Sequence, residues 1–535
     1  MEIVITEINI WLFPFLIFLL TLVKMMTYMT IEKYITPKAD LTEQIRKLLV
    51  TEFGLHEAYS KIIKDFILEK HFEQYIDTLY ALIEIPYVDK VFRDSYYHYF
   101  SSKLNSYNRD CIRVSLFDGE IKDEMFRRQE DVEDLSNRYL GFIVIRPTVP
   151  HIIGRSVLSP NAKKEKNFNV CTVKIPSTVD CIKFTIEGFP HSSQDTETIT
   201  CAETTVWAIM EYFSNKYAEY KPVLPSKIIE TLNKVSSERQ IPSKGLNIQQ
   251  ISFALKEFGF GTRIYSKVQF LDDFERLLSC YVESGLPIIV GIENGPPTTV
   301  AHAMLCIGHS KIEDLMIDNL LEEKFVDSAI SDKIAIKNLK FFDFDSIEKE
   351  FIFIDDNHPA FQKSLLETPA KYYGKADWDA CKITHFIAPF YTKIYLEAYE
   401  AKSFAIRYLL GGMLPLVDNT ELFIRFYLTS SRSYKNEVAL NQTIQDELKV
   451  VILETAMPKF IWVTEISSKD DIKRGEALGL IIIDATEAKL FIVKPLLLAA
   501  YNDTIVTFDP ASRLFIKNTV PLHKFQIYTH NLKGY

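Results

Sequence analysis

A chain of 535 residues, 47% hydrophobic and 25% charged, has the make-up of a folded globular protein of two to four domains. Its formal net charge of −10 argues against nucleic acid as the main partner. Seven cysteines without close spacing exclude a disulfide framework and a zinc site, and fit a reducing compartment.

The first hydrophobic stretch, residues 10–23 (IWLFPFLIFLLTLV), carries no charge. Its 14 residues fall short of the roughly 20 that span a bilayer. Glu2 and Glu7 precede it where a secretory signal carries Lys or Arg, and Lys24, Lys33 and Lys38 follow it. Three readings stay open for residues 1–28: a membrane anchor, an atypical signal peptide, or a start assigned too early, with Met25, Met26 or Met29 as the true one. Positive charge after the segment keeps the body inside the cell. The expected location is cytoplasmic, free or anchored through residues 10–23.

Residues 40–185 form an N-terminal region, helical and then β. Helical stripes are expected through residue 52, over 56–70, and over 71–84 (Phe72, Tyr75, Ile76, Leu79, Leu82, Ile83). Strands are expected at 112–117, 141–147, 171–175 and 181–186.

The chemistry lies in the next region, residues 186–395. After the lead-in Gln194-Asp195-Thr196, Cys201 opens a run in which Val206, Ile209, Met210, Phe213 and Tyr217 repeat at helical spacing. Thr200 with Glu203 is a capping-box pattern, so Cys201 falls in the first turn, where the positive end of the helix dipole favours thiolate over thiol. Helices follow at 225–235, 248–258 and 270–283. Residues 286–292 and 301–308 read as two core strands, with His302 at the start of the second. His309, at its other end, reads as a core histidine, as does His385. Residues 351–354 are a short strand ending in Asp355 and Asp356. One carboxylate here can fix the tautomer of His302. Strand alternation predicts that only one of the two reaches it. His191 is the weaker candidate for a base. Residues 311–349, charged and weakly patterned, read as an insertion placed to act as a lid or substrate loop. Residues 381–389 are a closing strand and 391–409 a helix.

Thiol, imidazole and carboxylate thus fall in that order at element ends, which is the composition of an activated-cysteine site. The order, together with HAMLCIGH (302–309), resembles that of papain-like cysteine peptidases. The phrases GLNIQQISFALKEFGF and FERLLSCYVESGLPIIVGI resemble their bacterial C39-like branch, over residues 190–395. The resemblance implies an α+β, papain-like two-lobe core with a helical lobe and an antiparallel sheet lobe. It implies Cys201 as nucleophile, His302 as base and acid, Asp355 or Asp356 as the third member, and Gln194 as an oxyanion donor. Gln194 stands seven residues before Cys201 where the family commonly has six, with Asp195 in the nearer place. Ala202 replaces the family's aromatic residue or glycine.

The implied function is acyl transfer on a peptide or amide bond of a peptide or protein substrate, without cofactor or metal. Deamidation, transpeptidation and a non-catalytic interaction protein that keeps the fold are the alternatives. Residues 396–535 read as a flanking α/β region, with strands at 422–428, 460–466, 478–483, 490–493 and 505–508. It holds no phosphate loop or metal-ligand cluster.

Overall fold

The computed structural model describes residues 31–535 apart from 105–106, 237–239, 242–244, 326, 489–494, 510–511 and 513. Residues 10–23 and the strand expected at 490–493 therefore lie outside the described residues. Among the described residues no helix is long and apolar enough to cross a membrane. The secondary structure is α+β with mainly antiparallel sheets. The chain divides into two compact units, one of residues up to 164 with 176–186, the other of 165–175 with 187–535.

The first unit is built on a seven-stranded sheet. Glu32–Pro37, Leu79–Tyr87, Cys111–Asp118, Tyr139–Ile145 and Ile153–Leu158 follow one another across it. Ile182–His191 and Val173–Val179 complete it. The helix Lys38–Thr51 buries Leu41, Ile45, Leu48 and Leu49 in the same core as Leu79, Ile83, Val114 and Ile143. The helical stripe expected over 71–84 is corrected here. The helix ends at Glu73, and Leu79–Tyr87 is a strand. Five consecutive residues of it, from Ala81 to Ile85, are buried. A strand covered on both faces loses its two-residue alternation, and its apolar run then imitates a helical stripe.

The second unit holds two large sheets. The first runs Gln362–Ser364, Phe351–Ile354, Ala301–Ser310, Ile288–Glu293, Lys382–Tyr391, Phe260–Ser266, antiparallel throughout. Phe168–Val170 pairs with the far end of Ala301–Ser310. Gly308 permits that crossing, because a Cβ there would collide with the Asn169 carbonyl. The helix Cys201–Lys216 packs on the Ala301–Ser310 strand and against the helices Pro225–Asn233 and Ile248–Glu257. Asn247 caps the last of these through a reciprocal pair with Gln250.

The second sheet runs Lys340–Asp343, Glu421–Ser430, Phe460–Ser467, Gly479–Asp484, Leu496–Tyr501, Thr504–Asp509, Leu514–Thr519. The helix Asp273–Glu283 joins the two sheets. Its Tyr281 ring lies 6.3 Å from Phe386 of one and 6.2 Å from Trp462 of the other. Residues 186–395 and 396–535 consequently share one hydrophobic core. The segment 311–349 is built into the second sheet. Its strand Lys340–Asp343 lies parallel to Glu421–Ser430, and Lys402 bridges Asp343 and Asp345. The helix expected over 391–409 begins only at Ala398, because the strand before it runs on to Tyr391.

Candidate active site

Cys201 is the first residue of its helix and is half-buried. The helix starts there because Glu203 accepts hydrogen bonds from the Thr200 backbone N–H (3.1 Å) and hydroxyl (2.5 Å). The loop before it is organised by Asp195. That buried carboxylate accepts the N–H groups of Glu197, Thr198 and Ile199 at 2.9, 2.7 and 3.0 Å, and the Thr198 hydroxyl. Thr196 takes φ +62° inside this turn. The acidic residue six positions before Cys201 is therefore committed to the backbone. Gln194, one residue earlier, donates its amide to Asn357 Oδ1 at 2.9 Å.

His302 is the second residue of its strand and is buried. The neighbouring strand runs antiparallel with Ile354 opposite Leu305, so the chain past Ile354 returns toward His302. Asp355 Oδ1 lies 3.0 Å from His302 Nε2. Cys201, beside the His302 ring, also raises the imidazole above its ordinary value. With Nε2 engaged by Asp355, Nδ1 is the atom left for sulfur. Asp356 is buried too, with Oδ1 3.5 Å from the same Nε2. Of the two acids, Asp355 takes the hydrogen bond of His302, and Asp356 lies farther off. The strand ends at Ile354, and strict alternation does not govern the turn that carries both acids.

Asp355 is fully buried and accepts four hydrogen bonds. Oδ1 takes His302 and the Asn357 N–H (2.9 Å), and Oδ2 takes the hydroxyls of Tyr372 (2.7 Å) and Tyr373 (2.8 Å). Burial pushes this carboxyl up, but the His302 charge and hydrogen bond, with His358 and the Asn357 N–H, outweigh burial and hold it well below the usual carboxylate range. Burial pushes His302 down, but the Asp355 charge and hydrogen bond, with Cys201 and Asp356, carry it well above its ordinary value. The two shifts have one cause, the attraction between His302 and Asp355 in a buried site.

The surroundings keep this pair dry. Trp378 stacks on Tyr373 at 3.5 Å and 6°, and meets the His302 ring edge-on at 5.4 Å. His191 Nε2 contacts the carbonyls of Asp355 (3.1 Å) and His358 (2.9 Å), so it braces the acid turn. His309 is held by Glu283 (2.8 Å) and the Ser310 carbonyl (2.7 Å), as a core histidine. Ligand atoms of His302, Asp355 and Asp356 lie within 4.8 Å of one another. A cation among them would have to displace the donors already on Asp355, so the donor set suits proton chemistry better than metal binding.

Sequence reasoning passed over Tyr372, Tyr373, Trp378 and Asn357. The available signal was three large aromatics in eight polar-rich residues, KYYGKADW, an unusual density for a solvated loop. Compared with known proteins, the chain matches no protein-family model and no curated sequence.

Proposed function

We propose that the chain is a papain-like cysteine hydrolase that transfers the acyl group of a peptide or protein substrate through Cys201. The observation that carries the reading is the buried imidazole of His302, hydrogen-bonded to the buried Asp355 carboxylate and raised by the helix-start Cys201 beside it. The papain-like arrangement is part of the proposal: helices on the cysteine side, the antiparallel sheet on the histidine side, substrate between them.

In this reading Cys201 Sγ attacks the carbonyl carbon and the carbonyl π electrons move to oxygen. The Cys201 N–H and the Gln194 amide hold that oxyanion, each such donor contributing about 3 kcal/mol to the barrier. His302 passes its proton to the leaving amine as the C–N bond breaks, which leaves an acyl thioester on Cys201. Water, deprotonated by His302, releases the acid. An amine acceptor in place of water gives transpeptidation, and a side-chain amide as substrate gives deamidation. Asp355 orients the ring throughout.

A p-nitrophenyl acyl ester tests the reading without a known substrate. The expected result is a stoichiometric burst of nitrophenol and an acyl mass on Cys201, both absent from Cys201→Ala. Acylation spread over several cysteines, or unchanged in His302→Ala, would remove the basis for it.

A further inference from the structure

Two adjacent tyrosines place their hydroxyls on one carboxylate oxygen. Neighbouring side chains usually diverge, but Tyr372 and Tyr373 occupy the tight turn Lys371–Tyr373, closed by Gly374 at φ +61°. Both donate to Asp355 Oδ2. Tyr373 is held in turn from both ends: Asn357 Nδ2 donates to its hydroxyl at 3.1 Å, and Trp378 covers its ring. Tyr372 Oη also lies 3.3 Å from Met304 Sδ on the histidine strand.

We propose that Tyr372 and Tyr373 are positioning residues, a hydroxyl clamp that keeps Asp355 an acceptor for His302 across the working pH range. The inference rests on the hydrolase reading for its consequence, though the clamp itself is a property of the Asp355–His302 pair. An ionised carboxylate only accepts hydrogen bonds, so it fixes a proton on Nε2 and leaves Nδ1 for the thiol. A protonated carboxyl would itself donate and release the ring. A buried carboxyl without donors is driven toward that neutral form. The hydroxyls supply, in a dry site, what water supplies to an exposed aspartate.

The charged and titratable groups around the pair come from several elements. They are His302 on its strand, Cys201 on its helix, Asp356 and His358 in the acid turn, and His191 against the acid-turn carbonyls. Cys381 also senses His302. Against these, the two tyrosines give Oδ2 their hydroxyl hydrogen bonds.

The experiment is proton NMR of the full chain, following the downfield Nε2–H resonance of His302, assigned by its loss in His302→Ala. Wild type is compared with Tyr372→Phe, Tyr373→Phe and the double variant between pH 4.5 and 9. The clamp predicts that wild type keeps the resonance down to pH 4.5, where Asp355 stays ionised, and that the double variant loses it on acidification within this range, with the single variants between. In parallel, iodoacetamide alkylation of Cys201 falls about tenfold at pH 5 and less than twofold at pH 8. Resonances that titrate as in wild type in all three variants overturn the clamp, as does a wild type that lacks the resonance. A rate loss equal at all pH values marks lost packing and also counts against it. Tyr373→Phe keeps the ring under Trp378, so a single variant carries the test if the double variant fails to fold. If the resonance behaves as expected but Cys201 is inert in every protein, the hydrolase reading fails and the clamp stands.

Discussion

Gln194 and Asn357 are joined side chain to side chain, Nε2 to Oδ1 at 2.9 Å. The bond ties the loop that precedes Cys201 to the turn that carries Asp355. From Asn357 the chain of donors continues through Tyr373 to Asp355 and meets His302 there. Two parts of the site, far apart in sequence, therefore share one hydrogen-bonded path.

The first prediction concerns Gln194. The proposed function makes it an oxyanion donor, which matters only when a carbonyl oxygen gains charge. Gln194→Ala should lower the acylation rate with a p-nitrophenyl ester by about 10²–10³. Alkylation by iodoacetamide, which forms no oxyanion, should change less than about twofold. Equal losses in both reactions would show that Gln194 supports the loop and not the oxyanion.

The two acids separate cleanly. Asp355 takes His302 at 3.0 Å with three further donors, whereas Asp356 stands 3.5 Å away. Asp355→Asn should slow Cys201 alkylation at pH 6 by at least about tenfold, and Asp356→Asn by about threefold or less. The reverse order would transfer the orienting role to Asp356.

Stability should follow pH with a definite sign. Asp355 is depressed in the folded chain, so its contribution is present above the unfolded carboxylate value of about 4 and lost as pH falls through the folded value. His302 is raised, so its share is full below about 6.5 and lost as pH climbs through its folded value. Breaking a buried pair costs about 3–5 kcal/mol. Urea midpoints should therefore place Asp355→Asn well below wild type at pH 6, with the gap narrowing at pH 3. A gap that widens on acidification would contradict the assignment of an ionised Asp355.

Away from the site, Arg425 bridges Glu283 (2.8 Å) and Glu465 (2.8 Å) in the shared core. Arg425→Met leaves two buried carboxylates facing each other without the cation, a loss of about 3–5 kcal/mol. Thermal unfolding should report it as a lowered Tm. The folded fraction should alkylate at Cys201 as wild type does, because none of these groups touches the triad.

Much of this was legible from the chain itself. The cysteine helix announced itself by its stripe and by Thr200 with Glu203, and the capping bonds are present. The strands at His302 and before Asp355 were visible as short apolar runs bounded by turn residues. What escaped had physical reasons. Leu79–Tyr87 is buried on both faces and so shows no alternation. Phe260–Ser266 is an edge strand with mostly half-exposed residues, and its weak pattern hid it. Residues 311–349 gave no hint that Lys340–Asp343 pairs with Glu421–Ser430, since a parallel partner lies far along the chain. The tyrosine clamp was invisible because convergence of two neighbours on one oxygen depends on a turn conformation, not on spacing.

The most direct measurement is limited iodoacetamide labelling of the intact protein at pH 6, read at each cysteine by mass spectrometry, for wild type and His302→Ala. An isolated cysteine, with its ordinary pKa near 8.5, is barely ionised there. The Cys201–His302–Asp355 assembly predicts fast, selective labelling of Cys201 that is lost in His302→Ala. Labelling of Cys201 no faster than that of the exposed Cys181, and indifferent to His302, would contradict it.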